Sequence, residues 1–181
     1  PVTKAYEIIS CFEGLLDYYE LTGKKEYLGI CERFADAVLK TDFTVVGGVG
    51  CYDEYFNNST KKQVEKSEIH KQETCVTVTL MKFLVNLFRL TGDTKYTDAI
   101  ETSFFNAYLG AFNVTPVTGH LAVPCFYSYS PIFDEPRSTL MGGCKSLSGY
   151  AVCGCCVAIG AAGLGVLPAI SATGNEESVT I

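Results

Sequence analysis

Apolar residues recur at three- and four-residue intervals in four stretches of the chain, the spacing of one face of an α-helix. Ile8, Phe12, Leu15, Leu16 and Tyr19 predict a helix over residues 5–21. Tyr27, Ile30, Cys31, Phe34 and Val38 predict a second. Leu80, Phe83, Leu84, Leu87 and Phe88 predict a third, and Tyr96, Ile100, Phe104, Ala107, Tyr108 and Ala111 a fourth. "LTGKKEY" separates the first two and "LTGDTKY" the last two. Each glycine marks a helix end, because it adopts the left-handed conformation that closes a C-terminus.

The two pairs form an internal repeat. Leu21, Thr22, Gly23, Tyr27 and Glu32 recur as Leu90, Thr91, Gly92, Tyr96 and Glu101. The unit is a helix, a tight turn and a second helix running back. One such hairpin cannot bury its apolar face alone, so hairpins must stack, either as an open solenoid or as a closed ring. The pattern therefore predicts an all-α fold of helical hairpins. Residues 41–72 and 112–152 are long connections rich in Gly, Pro, Asn and Ser, with short β-like runs. Loops of that length are usually functional or supported by something outside the chain. A last helix starts near Cys155 and has no partner hairpin after it. The array thus reads as cut off, with residues 1–181 as a partial domain whose open face calls for a flanking domain or a second copy. The apolar run "CCVAIGAAGLGVLPAI", 155–170, is short for a bilayer crossing, contains Pro168 and predicts a buried helix.

Composition narrows the function classes. The chain is 48% hydrophobic and 19% charged, a globular balance. Its net charge is −6, with no cluster of Lys or Arg. That argues against nucleic acid and against an anionic membrane, and it suits a neutral ligand such as a sugar. The nine cysteines cannot all pair within one chain, and Cys11 and Cys31 lie in apolar helical patterns. Cysteines used as small hydrophobes point to a reducing compartment, with the cytoplasm favoured.

The candidate chemistry sits in "HKQETC", 70–75, and "CGCC", 153–156. Cys75 and the Cys155–Cys156 pair each fall at a predicted helix start, where free backbone N–H groups and the helix dipole stabilise a thiolate. Glu73 and Cys75 cannot share a face inside a helix, but at its entry both can turn toward one point. Four such groups can form a zinc tetrad. Neither half is a CxxC knuckle, so two alternatives stand beside it. One is inert buried thiols; the other is a disulfide from Cys153 or Cys155 to Cys75 or Cys144. "YDEYF", 52–56, sets Asp53 and Glu54 among aromatic rings after the flexible "VVGGVG". Partial desolvation there would raise a carboxyl pKa toward general-acid duty; the alternative is an ordinary polar loop. His70 and His120 lie in the long connections, His120 being the better placed to bond a substrate hydroxyl.

In that order, "GGVGCYDEYF", "QETCVTVTLMKF", "LTGDTKYTDAIETSFFNAYLGAF" and "CGCCVAIGAAGLGVLP" resemble the catalytic domain of the family-127 glycoside hydrolases, the β-L-arabinofuranosidases and their relatives. The resemblance spans nearly all of the chain, as the middle of such an enzyme. It implies part of an (α/α)6 barrel and a zinc held by Glu73, Cys75, Cys155 and Cys156. It also implies retaining hydrolysis of a terminal L-arabinofuranoside or similar sugar, with Cys155 as nucleophile and Glu54 as acid/base. Two other classes compete: a zinc-stapled helical module without catalysis, and a metal-free helical binding surface.

Overall fold

Gly23 and Gly92 adopt the same left-handed conformation, with φ of 67° and 72°. Their N–H groups bond Tyr19 O and Phe88 O, both at 2.8 Å. Thr22 and Thr91 each turn a hydroxyl back to the carbonyl four residues earlier, Tyr18 O and Leu87 O. The same hydroxyls accept the N–H groups of Lys24 and Asp93. The repeat seen in the sequence is therefore a repeat of hydrogen bonding. It closes α1 (Ala5–Thr22) onto α2 (Lys25–Thr41), and α4 (Thr74–Thr91) onto α5 (Lys95–Thr102), with the short α3 (Ser59–Lys62) between the hairpins.

These observations come from a computed structural model that describes residues 4–51, 54–65, 72–113, 125–126, 144–147, 150–153, 155–174 and 179–180. The fold is mostly helical. Three short antiparallel strand pairs accompany the helices: β1 (Phe112–Asn113) with β2 (Cys125–Phe126), β3 (Cys144–Leu147) with β4 (Tyr150–Cys153), and β5 (Thr173–Gly174) with β6 (Val179–Thr180). In the second pair the backbone of Cys144 stands opposite that of Cys153. This pair leads into α6 (Cys155–Gly163), which α7 (Val166–Ile170) follows.

α4 lies at the centre and packs against α1, α5, α6 and α7. Its buried residues run from Thr74 to Leu87 and leave only the outer edge in water. By length and composition α4 could cross a bilayer, but 67% of it is buried inside the protein, as in a core helix. Phe12 of α1 stacks on Phe34 of α2 at 3.7 Å, and both meet Phe83 of α4 edge-on. This aromatic cluster joins the first hairpin to the second.

The predicted faces hold with two shifts. In α1 the fully buried positions are Ala5, Ile9 and Leu16, so the core side centres on Ile9 rather than Ile8. In α2, Cys31, Ala35 and Val38 face in, while Ile30 is exposed. α2 is covered mainly by α1, so its buried stripe is narrow and one residue's rotation is enough to expose Ile30. All six residues of the fourth predicted face are buried, but the helix there is not regular. From Ser103 to Tyr108 it widens into a π-helix. The Gly-rich loop after α2 docks against this turn: Ala107 N–H donates to Val46 O at 3.0 Å, and Ser103 Oγ donates to Gly47 O at 2.7 Å. Gly47 has φ 82°, and a Cβ there would stand 2.5 Å from the Ser103 Cα.

The run 155–170 is not one buried helix. It breaks at Leu164–Gly165, and only Cys156, Gly160, Gly163 and Val166 are buried. Its small residues are uniformly apolar, so hydropathy alone could not show which side faces protein. Leu164, Phe105, Leu109 and Phe112 are exposed.

Gly47→Ala is expected to lose about 1–3 kcal/mol, because both the left-handed backbone and the Ser103 backbone oppose the methyl. Gly14→Ala, in open space on α1, is expected to gain about 0.5–1 kcal/mol. Urea denaturation of both variants checks the contrast. Burial pushes the Tyr108 phenol up to about 12, and its hydroxyl donates to Gly160 O at 2.6 Å. Its folded pKa lies above the unfolded value of about 10. Its contribution is therefore complete below pH 10 and is lost as pH rises through 12. Tyr108→Phe should flatten that alkaline decline in a pH series of thermal melts.

Candidate active site

α4 starts immediately after Glu73, whose backbone is still extended at φ −77° and ψ 131°. Glu73 and Cys75 therefore turn to the same side although they are two residues apart. α6 opposes them because its inner face has almost no side chains. A Cβ on Gly163 would stand 2.5 Å from the Tyr108 ring and 2.9 Å from Val78, and one on Gly160 would overlap the Phe126 ring. Phe126 stacks on Tyr108 at 4.7 Å, and the Tyr108 hydroxyl bonds Gly160 O. Held this way, the first residues of α6 meet the start of α4.

Cys75 Sγ lies 4.0 Å from Cys155 Sγ and 4.0 Å from Cys156 Sγ, and 3.0 Å from Glu73 Oε2. One ligand atom from each of the four residues lies within 4.8 Å of the others. Two thiolates on one tetrahedral zinc, each about 2.3 Å from it, stand about 3.8 Å apart. The sulfur spacing and the donor set, three thiols and a carboxyl, fit such an ion. Glu73, Cys75 and Cys156 are buried, whereas Cys155 is exposed. Cys11, Cys31, Cys51, Cys75, Cys155 and Cys156 are present as thiols. No disulfide therefore joins any of these six.

The electrostatics describe a centre short of positive charge. Burial and the neighbouring Glu54 raise Glu73 to about 8. The contact with Cys156 and burial drive the Cys75 thiol far up. Burial also raises Cys155, with the charges of Cys156 and Glu73 adding to it. Each group holds its proton because another anion in so little solvent would be costly.

Glu54 neighbours this cluster, with its carboxyl interacting with that of Glu73. Its pKa is lowered, first by Glu73 and then by Lys4. The expected rise from aromatic desolvation is overturned, because these two partners outweigh burial. The Phe56 ring instead packs edge-on against Phe34 at 5.9 Å. Glu54 has φ 65°, a left-handed backbone at a non-glycine residue. Asp42 pins the far end of its loop: Oδ1 accepts Asn57 N–H at 2.9 Å, Ser59 N–H at 3.0 Å and Ser59 Oγ–H at 3.1 Å. Ser59 Oγ in turn accepts Cys51 N–H at 3.0 Å. Lys4 holds the near end, with Nζ 2.7 Å from Glu54 Oε2. Sequence reasoning missed Lys4 and Asp42. Neither belongs to a motif, and their partners are tens of residues away. Asp53, His70 and His120 lie outside the described residues.

A scaffold of helical hairpins that gathers thiols and carboxyls at two helix starts defines a class of helical-barrel catalytic domain. The chain belongs to the family described as "Beta-L-arabinofuranosidase, GH127 catalytic domain", whose sequence model matches residues 1–166. A GH127 β-L-arabinofuranosidase from Geobacillus stearothermophilus T6 has a similar fold, with TM-score 0.71 over 98% of this chain at 16% identity. A second solved GH127 β-arabinofuranosidase aligns over 62% of the chain, with TM-score 0.55 and 24% identity. The chain spans 27% and 18% of the lengths of these two proteins. No curated protein is significantly similar to it.

Thiol reactivity should follow this geometry. At pH 8 without metal, iodoacetamide is expected to alkylate exposed Cys11 quickly and Cys155 more slowly. Cys31, which burial pushes up to about 11, has about one thiolate in a thousand at that pH. It should stay unmodified together with Cys51, Cys75 and Cys156, until guanidinium unfolds the chain. Peptide mass spectrometry gives the order.

Proposed function

We propose that the protein containing this chain is a zinc-dependent glycoside hydrolase that cleaves a terminal L-arabinofuranoside or similar sugar with retention of configuration. The observation that carries the reading is the gathering of Glu73, Cys75, Cys155 and Cys156 around one point, with the Glu54 carboxyl beside that of Glu73. Family membership supports the substrate class.

Glu73, Cys75, Cys155 and Cys156 would hold the ion. When bound, zinc supplies the positive charge that keeps these thiols ionised near neutral pH. Cys155 is the nucleophile, since it alone of the four is exposed. Its sulfur attacks the anomeric carbon as the bond to the leaving oxygen breaks; Glu54, whose pKa Glu73 and Lys4 lower, acts in this step from its protonated fraction and gives that oxygen its proton. Glu54 then takes a proton from water, the water oxygen bonds to the anomeric carbon, and the carbon–sulfur bond breaks to return the thiolate. His120 is assigned to a substrate hydroxyl by its sequence context alone. A purely structural staple would have no use for an exposed ligand, so the exposure of Cys155 favours the enzyme.

One zinc per chain is expected by atomic emission, and Cys75→Ser should reduce that content. Binding must expel the protons that the thiols and Glu73 hold, so affinity should fall as pH falls; an indicator dye reads the release. Cys155→Ser should abolish turnover while the fold survives. Glu54→Gln should slow both steps; kcat/KM should fall by about 10²–10⁴-fold on alkyl glycosides and far less on nitrophenyl glycosides, whose leaving group needs no proton. NMR of the first-formed anomer tests retention. Full activity in Cys155→Ser would reduce the centre to a staple.

A further inference from the structure

We propose that Lys4 is the positioning residue of Glu54, fixing one carboxylate oxygen and the backbone behind it so that the other oxygen serves proton transfer. The inference rests on the acid/base reading of Glu54 above.

Three contacts join the chain before α1 to the Glu54 loop. Lys4 Nζ lies 2.7 Å from Glu54 Oε2. Ala5 N–H donates to Glu54 O at 2.7 Å. The backbones of Lys4 and Tyr55 form an antiparallel bridge. The ammonium also lies 5.9 Å from the Tyr55 ring centroid, within reach of the ring face. Glu54 itself is left-handed at φ 65°, a conformation that persists only where the surroundings impose it. Gly50, also left-handed, lies close beneath: a Cβ there would be 3.1 Å from the Glu54 carbonyl carbon.

The contact does not read as a device for stability. Lys4 is 44% exposed at its side chain although Glu54 is only 13% exposed, and solvent around the ammonium weakens what the pair contributes to folding. Glu7, in the first turn of α1, is another carboxylate close to Lys4 in the chain. Among the described residues its ion pair is nevertheless with Glu54. What that pairing achieves is direction. The terminal torsion of a glutamate is broad and roughly two-fold, so an unheld carboxylate presents either oxygen. An acid/base must bring one oxygen within about 2.6–3.2 Å of the atom it protonates.

The test uses the full enzyme with methyl and p-nitrophenyl β-L-arabinofuranosides, reading kcat, KM and Tm. Lys4→Met is expected to lower kcat on the methyl glycoside by about 10²-fold, the size of a 1 Å misplacement. KM and Tm should stay close to the parent's. The nitrophenyl substrate, whose leaving group needs no proton, should lose much less in kcat/KM, which reports the first step alone. Lys4→Arg should restore most of the loss, since it returns a cation to the same oxygen. Equal losses in kcat/KM on both substrates, or no loss at all, would overturn the role of Lys4. Glu54→Gln runs alongside. If it cripples the methyl reaction while Lys4→Met does not, only the Lys4 inference fails. If it is fully active, the acid/base reading falls and takes this inference with it. Should Lys4→Met fail to fold, Lys4→Gln keeps a donor without the charge, and the same ratio of the two substrates decides.

Discussion

The distance between α4 and α6 is the constraint on which the site depends. Cys75 reaches Cys155 and Cys156 at 4.0 Å only because Gly160 and Gly163 let α6 lie against Phe126, Tyr108 and Val78. A methyl at either glycine would push the helix outward by a bond length or more. Cores resist such displacement because they are packed as tightly as crystals. The Tyr108 hydroxyl, donated to Gly160 O, fixes the position along the helix as well as the separation. The glycines that look like weak helix formers in "AIGAAGLG" therefore set the geometry of the thiols.

A second constraint is charge. Three thiols and two glutamates share a small, largely dry volume, with Lys4 at its rim as the cation described there. Such groups cannot all ionise together. They keep protons, as Glu73, Cys75 and Cys155 do in this state, or they share a cation. Proton retention and zinc affinity are then two outcomes of one electrostatic demand. The thiols that burial makes unreactive alone are those that a divalent ion would convert into ligands.

The hairpins were legible because hydrophobic spacing and the Thr-Gly turn act locally. Gly23 and Gly92 needed nothing beyond their own neighbours to be read as left-handed caps. The four residues that gather were legible as a candidate set only because helix starts can be guessed and because the motifs resemble a known family. Spacing alone left disulfide and inert-thiol readings open. Lys4, Asp42 and the π-helix were not legible. Lys4 and Asp42 act on partners 50 and 15–17 residues away, a separation no periodicity records. The π-helix exists because Ala107 N–H finds Val46 O, a bond decided by the docking of a distant loop. The lowered pKa of Glu54 is of the same kind: the aromatic neighbours were visible, but Glu73 and Lys4 were not.

The two hairpins share their turns yet differ in their second helices, and the difference lies where the site is built. α2 runs regularly to Thr41, and the chain then leaves it as the loop carrying Asp42 and the Gly-rich turn. α5 instead opens into a π-turn that receives this loop through Ala107 and Ser103. The loop goes on to Glu54, pinned by Asp42 through Ser59 on one side and by Lys4 on the other. Glu54 is thus carried by the first hairpin, while Glu73 and Cys75 belong to the second. The carboxyls of Glu54 and Glu73 meet at the junction between repeats. The irregular helix of one repeat receives, through Ala107 and Ser103, the loop that carries the carboxylate of the other toward the thiol centre.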